Sequence, residues 1–123
     1  EMQGLRVVSR IADELPELPA DPQRLEQVLA NLLHNAIQLT PSGGLLRLSV
    51  EHAGPLVRVE VHHTGASLEP AELDAIFRRF TRVGGAYLGL SLARRVIEAH
   101  GGTMGVSANA GGGNTFWFTL PVR

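Results

Sequence analysis

Apolar and polar positions follow two different periods along this chain. From Pro22 to Leu39 the apolar residues recur at helical spacing, with Leu25, Val28, Leu29, Leu32 and Ala36 on one stripe. Asp21 stands where its carboxylate can cap the free amides of that helix. Pro22 occupies the first turn, where a missing N–H costs nothing, and Pro41-Ser42-Gly43-Gly44 ends the run. The period then changes to two. Leu46, Leu48 and Val50 alternate with Arg47, Ser49 and Glu51, and Val57, Val59 and Val61 alternate with Arg58, Glu60 and His62, a hairpin with one buried face joined at Gly54-Pro55. By the same alternation His63 falls on the valine face at the strand's end.

The flanking segments complete the pattern. Leu5 to Ala12 reads as a first strand, and Leu15 to Ala20 as a connection punctuated by Pro16 and Pro19. Glu69 to Phe80 predicts a short helix with Leu73, Ile76, Phe77 and Phe80 at i, i+3, i+4 and i+7, followed by a loop from Thr81 to Gly85. Leu88 to His100 predicts a third helix with Leu92, Ala93, Val96 and Ile97 inward and Gly101 as its stop. Thr103 to Ala108 and Thr115 to Pro121 read as two strands across the turn Gly111-Gly112-Gly113-Asn114. Strands that come in pairs rather than alternating with helices predict an α+β sandwich, with helices on one face of a mixed sheet.

Composition narrows the possibilities. With 123 residues the chain is one domain, and a formal net charge of -1 gives no electrostatic case for nucleic acid or an anionic membrane. The absence of cysteine removes disulfides and thiolate zinc sites. No apolar run is long enough to span a bilayer and nothing resembles a signal peptide, so a cytoplasmic setting is expected, including the cytosolic part of a membrane-bound sensor. The opening Glu1-Met2-Gln3 reads as the start of a module cut from a longer protein.

Three features carry candidate chemistry. Asn31 and Asn35 lie four apart on the first helix, either as part of a solvated face, which spacing alone favours, or as a neutral oxygen pair that helps hold a hydrated divalent cation on a nucleotide's phosphates. Glycines lead into the third helix, whose free amides and positive dipole end could receive phosphate. His52, His62 and His63 invite a metal reading, but adjacent strand residues point to opposite faces and no carboxylate stands at ligand spacing.

With these residues in place, the chain resembles the catalytic ATP-binding domain of a two-component sensor histidine kinase, in the superfamily shared with gyrase, Hsp90 and MutL ATPases. ADPQRLEQVLANLLHNAIQLTPSGG resembles the N box, IFRRFTR the F box, LGLSLARRVIEAHGGTMGV the second glycine box and its helix, and GGGNTFWFTLP the closing strand. The resemblance implies a two-layer sandwich of three main helices on one face of a mixed, mostly antiparallel five-stranded sheet. It implies ATP and Mg²⁺ as ligands, with Asn31 on phosphate and Asn35 on the metal. The hydrolases of the superfamily carry a glutamate base where this chain has Asn31. An amide cannot take a proton from water, so hydrolysis is not the expected main activity. The implied reaction is phosphoryl transfer to a histidine on a helical dimerisation domain, with a response regulator downstream. None of His34, His52, His62, His63 or His100 has the acidic flanks of such an acceptor, which places it outside this chain.

The resemblance also exposes departures around one pocket. The first glycine box, usually Asp-x-Gly-x-Gly, reads His63-Thr64-Gly65-Ala66-Ser67, so His63 replaces the Asp that accepts from the adenine amino group. A hydrogen bond to a charged group is worth about 1.5–3 kcal/mol, roughly tenfold to a hundredfold in affinity. Gln38 stands for a phosphate-reaching lysine, and Leu39 for an aromatic beside adenine. The second glycine box reads Gly85-Ala86-Tyr87-Leu88-Gly89-Leu90, with Tyr87 where a glycine lets backbone approach phosphate, and the ATP lid shrinks to a few residues around Arg82. The leading expectation is a degenerate kinase domain, a pseudokinase that binds ATP weakly or not at all and acts through protein contacts at Phe77, Phe80 and the third helix. The alternative is a working Mg-ATP kinase domain supported by Asn31, Asn35, Gly65, Gly89 and Arg79 or Arg82. A serine kinase of the anti-sigma-factor type, which shares the fold, is a third.

Overall fold

A computed structural model describes residues 4–12, 18, 20–77, 82–83, 86–87 and 90–122. Strand β1 (Arg6–Ile11) leads into helix α1 (Pro22–Leu39), and β2 (Leu45–Ala53) and β3 (Leu56–His63) form the hairpin. Helix α2 (Pro70–Ala75), the two-residue strands β4 (Arg82–Val83) and β5 (Ala86–Tyr87), helix α3 (Ser91–Ala99), β6 (Thr103–Ala108) and β7 (Asn114–Pro121) complete the order. The main sheet runs β1-β2-β3-β7-β6, and all its pairings are antiparallel except β1 with β2. That exception follows from connectivity, because α1 returns the chain to the starting end, and two strands joined by a helical crossover lie parallel. The result is the α+β sandwich that the pattern predicts.

Local chemistry sets the element boundaries. Asp21 Oδ1 accepts from the amides of Gln23 (3.0 Å) and Arg24 (3.4 Å), and Pro22 opens the first turn of α1. At the other end the Thr40 hydroxyl donates to the Ala36 carbonyl at 2.6 Å before Pro41 stops the helix. His100 ties the two long helices together. Its Nε2 accepts from the Asp21 amide at 3.1 Å, which leaves Nδ1–H to donate to the Val96 carbonyl at 2.8 Å.

The inner face of the sheet packs on the helices. Val59 and Val61 of β3 and Phe116, Phe118 and Leu120 of β7 pack in one core with Val28, Leu32 and Ala36 of α1 and Ala93 and Ile97 of α3, and Val57 and His63 are buried on the same face of β3. The outer face carries charge and one indole. There the Arg58 guanidinium lies 4.5 Å over the Trp117 ring and 2.6 Å from Glu60, and the ring fills the space that a Cβ at Gly105 would need.

Three expectations change. Helix α3 begins at Ser91 rather than Leu88, and Leu92 is 62% exposed rather than inward. The buried stripe centres on Leu90, Ala93 and Ile97, and at about 100° per residue Leu92 lies roughly 130° from that centre. Helix α2 spans Pro70–Ala75 rather than reaching Phe80, which lies outside the described residues, while Ile76 is fully buried and Phe77 partly so. Within the expected loop from Thr81 to Gly85, Arg82–Val83 is a strand paired antiparallel with Ala86–Tyr87. A Gly-Gly dipeptide between two pairs of residues is a two-residue hairpin signal.

Candidate functional site

The site is built where α1, the end of β3 and the start of β7 meet. Asn35 sits on α1 beside Leu32 and Ala36 and is fully buried, so the solvated-face reading does not describe it. Its Nδ2 donates to the Asn31 carbonyl at 2.9 Å and to Asn31 Oδ1 at 2.8 Å, so the two amides one turn apart act as a unit. Asn31 itself is half-buried. It lines a cavity of about 190 Å³ between α1 and α3, together with Arg24, Gln27, Val28, Leu92 and Val96. Arg24 was not singled out from sequence, because nothing in its spacing distinguishes it from a solvated helix arginine. Further along α1, Gln38 is exposed and Leu39 half-buried.

His63 is where the period-two pattern puts it, on the inner face with the valines, and it is fully buried. The β3–β7 register sets Asn114 directly opposite. Asn114 Oδ1 accepts from the Leu68 amide at 2.9 Å, which fixes its Nδ2 as the group that faces His63 Nε2 at 3.1 Å. Nε2 therefore accepts, Nδ1 carries the proton and donates to the Thr64 carbonyl at 2.8 Å, and the neutral imidazole uses both nitrogens internally. The ring stacks on Phe116 with centroids 6.1 Å apart. Burial holds the His63 pKa below the usual imidazole value. The bond to the Thr64 carbonyl opposes that shift, and neighbouring His62 adds to it. His62, on the outer face, is lowered by its own burial and by Arg47, against Glu60.

The loop after His63 is held tightly. Gly65 has φ +118°, and a Cβ there would come within 2.8 Å of Pro41 Cδ and 3.3 Å of the Leu39 carbonyl. The Ser67 hydroxyl donates to the Gly113 carbonyl at 3.1 Å, and Thr64 Oγ1 accepts from the Leu45 amide at 2.9 Å. Asn114 and Ser67 are the residues that sequence reading passed over as partners. In GGGN the asparagine looks like a turn former, and only the register reveals its neighbour.

Leu39, His63 and Gly65 thus lie at one end of the helix-covered face, with Asn35 one turn and Asn31 two turns back along α1. Leu88 and Gly89 lie outside the described residues, as do the side chains of Arg82 and Tyr87. Among the described residues no cluster of three histidine, cysteine or acidic side chains could hold a metal, and no helix is long and apolar enough to cross a membrane. A nucleotide fits this arrangement unevenly. Asn31 lines the cavity with Arg24, a cation and an amide that suit a phosphate, while Asn35 is buried behind it and holds the Asn31 amide in place. Among the described residues the base end presents no carboxylate, and neither His63 nitrogen is left over to read an amino group.

Comparison with known proteins agrees with this fold. Residues 20–123 match the family described as histidine kinase-, DNA gyrase B-, and HSP90-like ATPase. The adaptive-response sensory kinase SasA of Synechococcus elongatus is 37% identical over 124 residues, which cover 95% of this chain and 32% of SasA. The chain therefore spans about a third of that relative's length. The solved catalytic domain of histidine kinase ThkA superposes with a TM-score of 0.87 at 32% identity, covering 97% of this chain and 80% of that one. ThkA has also been solved in complex with the response regulator TrrA, where the match has a TM-score of 0.86 at 30% identity over 98% of this chain and 35% of that one. With its crossover strand, its asparagine-bearing helix and its helix-covered sheet, the chain belongs to the histidine kinase-, DNA gyrase B- and HSP90-like ATPase family, as a catalytic domain of the sensor histidine kinase type.

Proposed function

We propose that this domain serves two-component signalling as a degenerate member of its family, binding ATP weakly or not at all and regulating a kinase through protein contacts. One observation carries the reading. The His63–Asn114 pair closes on itself where the resemblance calls for a carboxylate to meet adenine. The partner would be the helical dimerisation and phosphoacceptor domain of the same kinase, with a response regulator engaged through it; ThkA, for its part, has been solved in complex with the response regulator TrrA. The acceptor histidine would lie on that helical domain, and this chain would be one module of a longer protein.

A second reading is favoured by the phosphate end. Asn31 and Asn35 remain paired beside Arg24, and through them the domain would hold Mg-ATP for transfer to a histidine of the helical domain. Bound nucleotide would supply the phosphoryl group. The chain's own contribution would be to position it, since neither asparagine can act as a base toward water.

Calorimetric titration with a non-hydrolysable ATP analogue and Mg²⁺ separates the two. The degenerate reading expects no binding by the unmodified chain and recovery in the double variant His63→Asp, Tyr87→Gly. Micromolar binding by the unmodified chain would overturn it in favour of a working kinase domain.

A further inference from the structure

Strand β1 is at the edge of the main sheet, and all six of its residues are exposed. The amides of Arg6 and Ala12 donate inward, to Gly44 and Val50 carbonyls on the β2 side. The alternation of a strand then turns the N–H and C=O groups of Val7, Ser9 and Ile11 to the open side, where no strand among the described residues pairs with them. Val7 is 57% exposed and Ile11 55% on the helix-side face, because α1 and α3 cover the sheet only from β2 onward, and Val8 is 38% exposed on the other face. No proline, glycine or bulge blunts this edge.

The same edge is charged on one face only. Arg6, Val8 and Arg10 share the outer face, and the register puts Arg47 beside Val8 on β2. The two β1 arginines stand about 13 Å apart along the strand, with Arg47 about 5 Å to the side between them. Arg47 Nε is buried and has no hydrogen-bond partner among the described residues. Arg10 and Arg47 also line an open groove of about 570 Å³ with Ser49, Glu51 and Glu60, of which Glu60 is engaged by Arg58.

We propose that the β1 edge is a docking site for an extended segment of a partner protein, one that alternates carboxylate and aliphatic side chains and adds to the sheet as a further strand. Its backbone pairs with Val7, Ser9 and Ile11, its aliphatic side chains cover Val7 and Ile11, and its carboxylates meet Arg6 and Arg10, with Arg47 adding positive charge from one strand further in. A second copy of this chain is a poorer occupant, because its β1 brings no carboxylate to the arginines. Antiparallel pairing about a two-fold at Val8 sets Arg6 of one copy opposite Arg10 of the other, like charges directly opposed, and pairing about Ser9 leaves Arg10 opposite Val8.

Amide NMR of the 123-residue chain, titrated with a synthetic peptide of alternating valine and glutamate, tests this. Shifts are expected along β1 and at Arg47, with no comparable effect from a valine–lysine peptide. The double reversal Arg6→Glu, Arg10→Glu should weaken binding at least about fivefold. Ser9→Pro should abolish it while leaving the melting temperature nearly unchanged, since the Ser9 N–H takes no part in the β2 ladder; if that variant fails to fold, the charge reversal decides. Absence of β1 shifts at millimolar peptide, or equal binding of the lysine peptide, overturns the proposal. So does sedimentation that shows a dimer dispersed by Ser9→Pro, which would make a second copy the occupant.

Discussion

His63 shows how one side chain links the sheet's register to pH. Its neutral form satisfies both ring nitrogens, whereas a proton on Nε2 would confront the Asn114 amide, whose orientation the Leu68 amide fixes. The folded pKa is therefore lowered, while the unfolded chain titrates near the ordinary value of about 6.5. Below that value the unfolded state binds more protons than the folded one. The His63 contribution to stability is thus present in full above pH 6.5 and is lost as pH falls through and below it. Thermal melts at pH 7.5 and 5.5 should show a lower Tm at the acid value, and His63→Gln, whose carbonyl can still accept from Asn114, should reduce the difference. Gly113 supplies a second test at this scale. It has φ +84°, and a Cβ would stand 1.9 Å from the His63 carbonyl, whereas a Cβ at Gly111 meets nothing within 4 Å. Gly113→Ala should cost about 2 kcal/mol or more in urea denaturation, and Gly111→Ala close to nothing.

The elements differ in how openly the sequence announced them. Helix α1 was legible to the residue, because an Asp-Pro start and a Pro-Ser-Gly-Gly stop are local signals that need no partner. The hairpin was equally plain, and its valine face placed His63 correctly. Helix α3 was harder. Its apolar residues outnumber the positions that the sheet and α1 can cover, and packing on both turns Ile97 inward while Leu92 turns out. Denaturation should separate them, with Ile97→Ala costing about 2–5 kcal/mol and Leu92→Ala under about 1. Phe77 is the face expected to meet a partner, and the Arg94 guanidinium lies 4.5 Å over its ring, held in turn at 3.4 Å by Glu98. Any partner at that face meets a cation first.

At the scale of the molecule, the order of elements yielded the architecture, because paired strands and flanking helices leave few ways to cover a single sheet. The site was legible as residue types and only partly as geometry. Spacing puts Asn31 and Asn35 on one face of one helix but favours a solvated face, and only the packing shows Asn35 buried. The contact of His63 with Asn114 joins residues 51 positions apart, and no local signal reports such a contact before the strands are in register. The chain's single tryptophan gives this sandwich a further property. Trp117 lies on the face opposite the helices, under Arg58 and over Gly105. Its fluorescence is therefore optically separated from the asparagine pair by the thickness of the sheet. Emission should respond to a cover laid across the outer face and stay silent to a ligand on the helix side, so a spectrometer alone can tell which side of the protein has been occupied.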